Sequence, residues 1–347
     1  MELNTTNLIQ WFQLKYPKIV KSMKRCSHHY KEGKEINPYH IEGDVFTHTM
    51  LVMMNVDRFT NSLSTENLKS LIVCSLLHDI GKCLVRTVDE EKKRVHFYNH
   101  ESISALLSLP ILNSIEKDFQ TILNKRLILE AISIHTDIFK LKESNLRSRL
   151  VNNDDLLQVF NALGQCDHSG RFHTSKSSLK LIDVVDSKTN DKKDNEVIVM
   201  IGLPASGKST YIKQNRIDGY EILSRDDIID EIGVALGYDN YNDAFKNVDQ
   251  QYVDKLFDIR KNIIIKQKKN VIIDMTNMSR KSRRKKLSNF NNYNKKAIVL
   301  MASIEKIDSR MVSRPNKTIS DDVVFNMAKN FYPPMYDEFD EIEWVFN

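Results

Sequence analysis

Apolar residues recur at three- and four-residue intervals through the first 173 residues. Val45-Phe46-Met50-Leu51-Met53-Met54-Val56 and Leu127-Ile128-Ala131-Ile132-Ile134 show the spacing most clearly. That period matches the turn of an α-helix, so the pattern predicts a helical first half in which strand-like alternation is rare. Further on the texture changes. Glu196-Val197-Ile198-Val199-Met200-Ile201, Val271-Ile272-Ile273-Asp274 and Ala297-Ile298-Val299-Leu300-Met301 are short apolar runs rich in β-branched residues. Helical segments fall between them, the longest from Val248 to Lys268. Strands alternating with helices predict an α/β domain with a parallel sheet. Ser187 to Asn195 is polar and charged without one large apolar residue. Residues 186–195 therefore read as an exposed linker between an all-α domain at 1–185 and an α/β domain at 196–347.

The 347 residues suffice for two ordinary domains, and 41% hydrophobic with 28% charged residues suits soluble domains that each own a core. No apolar run reaches the roughly 18 residues that a transmembrane helix needs, so no membrane partner is expected. Met1-Glu2-Leu3-Asn4 does not open a secretory signal. Cys26, Cys74, Cys83 and Cys166 are scattered, and Cys74 lies inside an apolar run. Free thiols in a reducing cytoplasm are the expectation. The net charge of +5 is mild, but Arg280, Lys281, Arg283, Arg284, Lys285 and Lys286 form a dense basic cluster. It is either a solvated helix face or a phosphate-contacting patch.

Gly202-Leu203-Pro204-Ala205-Ser206-Gly207-Lys208-Ser209 satisfies G-x-x-x-x-G-K-[ST], after a strand and before a helix. Such a loop cradles phosphates with backbone N–H groups. Its lysine, Lys208, reaches the terminal phosphates, and Ser209 binds the Mg²⁺ that accompanies ATP or another nucleoside triphosphate. Gly202, Pro204, Ala205, Ser206, Gly207, Lys208, Ser209 and Thr210 form the expected nucleotide site. Leu223-Ser224-Arg225-Asp226-Asp227 follows a probable strand. An aspartate there can accept the proton of an attacking hydroxyl, or the pair can simply open the next helix. Asp274, Thr276 and Asn277 end another strand, where they could face Mg²⁺ and the acceptor or form an Asx turn. Arg310 and Arg314 share a helix face and suit a lid over the transferring phosphoryl group, or are surface arginines.

From about residue 196 the chain resembles the phage and eukaryotic 5′-hydroxyl polynucleotide kinases. It shares GLPASGKST, SRDD, DMTN, the Arg310-x-x-x-Arg314 pair and the tail Phe331-Tyr332-Pro333-Pro334 with Phe339-Asp340-Glu341-Ile342. The resemblance implies transfer of a γ-phosphate to a 5′-OH, with Asp226 as general base and Arg314 as the lid arginine beside Arg310. It departs from the phage pattern at Ile229, where those kinases carry an acceptor-binding arginine.

In the first half His78-Asp79 ends an apolar helix, so both side chains can converge on one divalent ion. His48, His100, His135 and Asp167 accompany them. This ordered set, with HIEGDVFTHT and LLHDIGK, resembles the HD superfamily of metal phosphohydrolases over most of residues 40 to 170. The resemblance implies a helical bundle in which His48, His78, Asp79 and Asp167 surround one metal, with His100 and His135 completing a second site bridged by Asp79. One or two ions of Mn, Ni, Co, Zn or Fe suit these donors. Lys82 either neutralises a leaving phosphate or serves as a helix C-terminal cation. The other histidines, His28 and His40 among them, read as structural or surface residues.

The fused order resembles bacterial and phage end-healing enzymes. It implies a 5′-OH kinase joined to a 3′-phosphatase or 2′,3′-phosphoesterase acting on RNA or DNA ends, with a separate ligase as a possible partner. The chain could instead join a small-metabolite kinase to a nucleotide phosphohydrolase, or carry an HD half that only docks nucleic acid.

Overall fold

The computed structural model describes residues 1–30, 37, 40–172, 179–183, 185, 193–215, 219–313 and 317–347. Most of the expected linker, and Arg314, lie outside these. The chain divides into two compact units, Met1–Ser187 and Lys188–Asn347.

The first unit is a helical bundle: α1 Thr5–Lys15, α2 Pro17–Arg25, α3 Val45–Met54, α4 Thr65–Leu77, α5 Lys82–Val85, α6 His100–Phe119, α7 Lys125–Ile134, α8 Asp137–Lys140, α9 Glu143–Leu150 and α10 Asp154–Ser169. Its axis is α4, whose Leu71, Ile72, Val73, Cys74, Leu76 and Leu77 are all buried. A helix apolar around its whole circumference is stable only when surrounded, and α3, α7 and α10 pack on it. Side-chain caps fix where the helices begin. Asp44 accepts from Thr47 N at the start of α3, Ser64 caps α4, and Asn153 caps α10. One feature escaped the helical pattern: β1 (Thr87–Asp89) and β2 (Arg94–His96) pair as a short antiparallel ribbon.

The second unit is a five-stranded, wholly parallel sheet. Its strands are β3 Asn195–Ile201, β4 Glu221–Leu223, β5 Val271–Asp274, β6 Tyr293–Met301 and β7 Glu341–Phe346, in the order β4-β5-β3-β6-β7. Val197 pairs with Val271 on one side of β3, and Val199 with Ala297 on the other. Between the strands run α11 Lys208–Gln214, α12 Arg225–Ala235, α13 Tyr241–Asn247, α14 Gln250–Lys266, α15 Arg280–Leu287, α16 Ile304–Val312 and α17 Asp321–Lys329. The strand order reverses beside β3, so the loop after β3 opens into a crevice at the carboxyl ends of the strands.

The basic cluster on α15 divides in two. Arg283 is wholly buried, pairs with Glu338 at 2.7 Å, and donates to the carbonyls of Met278, Tyr332 and Pro333. Arg280 pairs with Asp337 and Glu338, and Lys286 donates to Asn277 Oδ1 at 2.7 Å. Lys281, Arg284 and Lys285 are exposed. Arg280 and Arg283 therefore fasten the C-terminal tail, and Lys286 holds the turn after β5. Arg283→Met is expected to leave buried Glu338 with only the longer contact to Arg280, 3.4 Å, and to destabilise this unit by about 3 kcal/mol, read as a lowered urea midpoint.

Candidate metal centre and phosphate cradle

The first site is built from helix ends. His48 stands one turn inside α3, His78 caps α4 with Asp79 behind it, His100 opens α6, His135 caps α7, and Asp167 lies in the last turn of α10. The structure brings all six together, each less than 9% exposed. Asp79 is at the centre. Its Oδ2 lies 3.3 Å from His78 Nε2 and 3.6 Å from His48 Nε2, and its Oδ1 lies 3.0 Å from His100 Nε2 and 3.7 Å from His135 Nε2. His48 Nε2 also meets Asp167 Oδ1 at 3.1 Å.

The rings are aimed by their far nitrogens. The Nδ1 atoms of His78, His100 and His135 face the carbonyls of Ser75, Phe97 and Ile132 at 3.0, 2.8 and 2.7 Å, and His48 Nδ1 faces Glu42 Oε1 at 3.0 Å. Each Nε2 thus turns inward, the arrangement that orients metal-ligating imidazoles. Gly81 holds the corner: a Cβ there would meet His100 O and Ser104 N at 2.6 Å, so only glycine lets the end of α4 approach the first turn of α6.

Burial would raise the Asp79 carboxyl, but His78, Lys82, His100 and His135 outweigh it and hold the group well below the usual carboxylate range. For Asp167, burial is outweighed by Arg171 and His48, with the same result. Burial lowers His135, which favours the neutral ring. His48 Nε2, His78 Nε2 and both Asp79 oxygens are buried without a well-aligned hydrogen bond. Imidazole nitrogens and carboxylates with unspent lone pairs, gathered in one buried space, fit a divalent transition metal. The donor atoms of His48, His78 and Asp167 lie within 4.8 Å of one another, as do those of His78, Asp79 and His135.

Four neighbours lay outside the sequence-derived set. Arg171 forks onto Asp167 at 2.9 and 2.5 Å. Glu42 joins His40 to His48. His28 and His40 stack at 4.3 Å between centroids, and burial lowers His40 to about 3. Lys82 does not act as a plain helix-end cation; it is buried with Nζ 2.6 Å from Asp79 Oδ2 and 3.3 Å from His28 Nε2. Arg171 follows Asp167 by one helical turn, a spacing visible in the sequence. His40 and Glu42 stand in HIEGDVFTHT, the phrase that carries the HD resemblance, whereas His28 gave no spacing signal.

The second site opens where β3 ends. Gly207 sits at φ +106°, and a Cβ there would come within 3.1 Å of Asn347 Nδ2. Lys208 Nζ donates to the carbonyls of Gly202 and Leu203 at 2.9 Å each. Ser209 Oγ donates to Asp274 Oδ2 at 3.2 Å. Arg310 reaches back to the loop, 3.2 Å from the carbonyls of Ala205 and Ser206. Ser224 caps α12 and so places Asp226 in its first turn, where Asp226 accepts from Tyr241 Oη at 2.6 Å and Lys317 Nζ at 2.5 Å.

A cavity of about 820 Å³ brings Lys208, Ser209, Asp226, Asp274 and Thr276 to one space, with Pro204, Ala205 and Gly207 along its rim. Gly202 and Ser206 are buried, and Thr210 is exposed on α11. Asn277 is placed elsewhere. It is buried at φ +48°, and its amide donates to Met200 O at 2.8 Å while Lys286 bonds its oxygen, so it ties β3 to β5 rather than meeting an acceptor.

Partial burial pushes Asp226 up, but Lys317 and Tyr241 outweigh it and hold the carboxyl below its ordinary value. Burial raises Asp274. A proton acceptor must be ionised, so transfer activity should persist as pH falls until Asp226 takes a proton. Lys317→Met is expected to move that acid limb upward in a pH profile of kcat/KM. An unmoved limb would detach Lys317 from Asp226.

Residues 45–159 match the model of the HD domain family, and residues 197–334 match that of the AAA domain. The chain is an HD domain fused to a P-loop kinase domain. The HD–kinase chain is 25% identical over 158 residues to heterogeneous nuclear ribonucleoprotein U-like protein 2 of Homo sapiens, covering 43% of this chain and 21% of that protein. It thus spans about a fifth of the length of the curated relatives it matches. Among solved structures it is similar to a chain of the Pnkp1/Rnl/Hen1 RNA repair complex, at 21% identity and TM-score 0.33 over 42% of this chain and 46% of that one. It is also similar to a gluconokinase from Sinorhizobium meliloti 1021, at 13% identity and TM-score 0.30 over 45% and 84%. The HD domain implies a divalent metal, and the kinase domain implies a nucleotide with Mg²⁺. Among the described residues no helix is long and apolar enough to cross a membrane.

Proposed function

We propose that this HD–kinase fusion heals broken nucleic-acid ends. The P-loop unit transfers the γ-phosphate of ATP to a 5′-hydroxyl. The HD unit removes a 3′-phosphate or opens a 2′,3′-cyclic phosphate. RNA cut by transesterification carries that pair of ends, and a separate ligase requires the reverse pair, so one substrate accounts for both chemistries in one chain.

The observation that carries the reading is the shared cavity of the kinase unit. A phosphate cradle and an ionised carboxylate, Asp226, face the same space. Asp226 receives the proton of the acceptor hydroxyl as it attacks, Tyr241 and Lys317 orient the carboxylate, and Lys208 offers its ammonium to the phosphates. Ser209 and Asp274 are the side chains that would hold the Mg²⁺ accompanying the nucleotide, which would supply neutralisation of phosphate charge. Arg310 and Arg314 serve as the lid pair.

In the HD unit His48, His78, Asp79, His100, His135 and Asp167 would hold one or two ions of Mn, Ni, Co, Zn or Fe. An ion held there would supply Lewis acidity for phosphate-ester hydrolysis. Lys82 faces the same space and offers positive charge to the scissile phosphate, and Arg171 fixes Asp167.

The test uses a 5′-OH oligonucleotide with labelled ATP, and a 3′-phosphate oligonucleotide with free phosphate as readout. Label on the 5′ end and release from the 3′ end are the expected results. Transfer to a free mononucleotide that an excess of oligonucleotide fails to compete away would sink the end-healing assignment.

A further inference from the structure

Beside the phosphate cradle and the carboxylate, the cavity of the kinase unit is lined by a wall of aromatic and apolar side chains among polar ones. Tyr241 and Phe245, one turn apart on α13, stack at 5.9 Å between centroids with planes 29° apart. Lys317 covers the Tyr241 ring at 4.0 Å, and the Tyr241 hydroxyl is spent on Asp226. Phe245 is 47% exposed and lines the cavity. Val323 and Met327, four apart on one face of α17, line the same space. A half-exposed phenyl ring and two apolar side chains are costly to leave against water and fit a flat apolar ligand. Lys246, adjacent to Phe245, is exposed and lines the cavity as well.

Topology says which substrate this wall serves. The phosphate cradle follows β3, and Arg310 approaches it from the helix after β6. Asp226 and α13 follow β4, at the opposite edge of the sheet. Phe245 therefore stands with the proton acceptor, on the helix whose Tyr241 bonds Asp226, while Lys317 and α17 meet that helix from the connection between β6 and β7. Ile229, which stands where the phage kinases carry an acceptor-binding arginine, is fully buried and cannot reach a ligand.

We infer that Phe245, with Val323 and Met327, forms a nucleobase-stacking subsite for the terminal nucleotide of the acceptor strand, and that Lys246 contacts the phosphate on that nucleotide's 3′ side. The inference rests on the polynucleotide kinase reading and adds how the end is gripped. Stacking tolerates any base, because every base presents a π-face. The subsite thus selects a nucleic-acid end rather than a sequence, and single-stranded ends over paired ones, whose terminal base is already stacked.

The test compares wild type, Phe245→Ala, Phe245→Trp and Lys246→Ala on two 5′-OH oligonucleotides that differ only in whether the terminal nucleotide carries a base. For wild type, removing the base is expected to raise the acceptor KM about tenfold, the effect of one lost stacking contact. Phe245→Ala should raise KM by a similar factor on the intact end and become indifferent to the base, while Phe245→Trp restores discrimination. Lys246→Ala should weaken all acceptors alike and flatten the salt dependence of their KM. An acceptor KM unchanged in Phe245→Ala, or a rise in the KM of ATP instead, overturns the subsite. Absence of transfer to any oligonucleotide by wild type overturns the end-healing reading itself, a separate result.

Discussion

Asp226→Asn is expected to lower phosphoryl transfer by two to four orders of magnitude, the usual worth of a positioned proton acceptor, with little change in the KM for ATP. The asparagine keeps the shape and still meets Tyr241 and Lys317, but it cannot take a proton. The loss should therefore fall on kcat rather than on nucleotide binding, because Lys208, Ser209 and the loop backbone are untouched. Steady-state kinetics with ATP and acceptor varied in turn separate the two. A kcat within tenfold of wild type would remove Asp226 from the reaction and leave Asp227 or Asp274, which line the same cavity, as the acceptor.

Asp79→Asn should have the largest effect in the HD unit. Each Asp79 oxygen faces two imidazoles, and Lys82 leans on one of them. Losing the anion removes the carboxylate whose two oxygens face four imidazoles and sets Lys82 and the imidazoles against each other. Phosphate release is expected to fall at least about a thousandfold, since several kcal/mol of transition-state stabilisation goes with the ion. Elemental analysis of the purified protein should show less metal per chain than wild type. Kinase activity in the same preparation serves as a folding control. Full metal content together with full phosphate release would refute the cage.

The sequence made some of this legible and hid the rest for identifiable reasons. Strand-to-loop-to-helix context around Gly202–Ser209 is local, and the structure places that segment after β3 as the pattern predicts. His78-Asp79 is also local, an adjacent pair at a helix end. His40 and Glu42 share the phrase HIEGDVFTHT with His48, but His28 approaches it only through the fold, and an isolated histidine carries no spacing that distinguishes a ring stacked beside the cage from one on the surface. Asn277 misled for the opposite reason. It follows a strand end in a sequence rich in polar side chains, but its positive φ turns its amide into the sheet. The six basic residues of α15 look alike in one dimension, and only the packing of Glu338 separates buried Arg283 from exposed Arg284.

Because the donors of the HD cage stand at or near the ends of five different helices, no short segment can assemble it. His48 and Asp167 are far apart in sequence, so the cage closes only once the intervening helices have packed. Metal capture would then follow that packing. Ion binding to the closed form then draws the folding equilibrium toward it by mass action, so that cells short of the metal would hold a looser, more protease-sensitive HD unit.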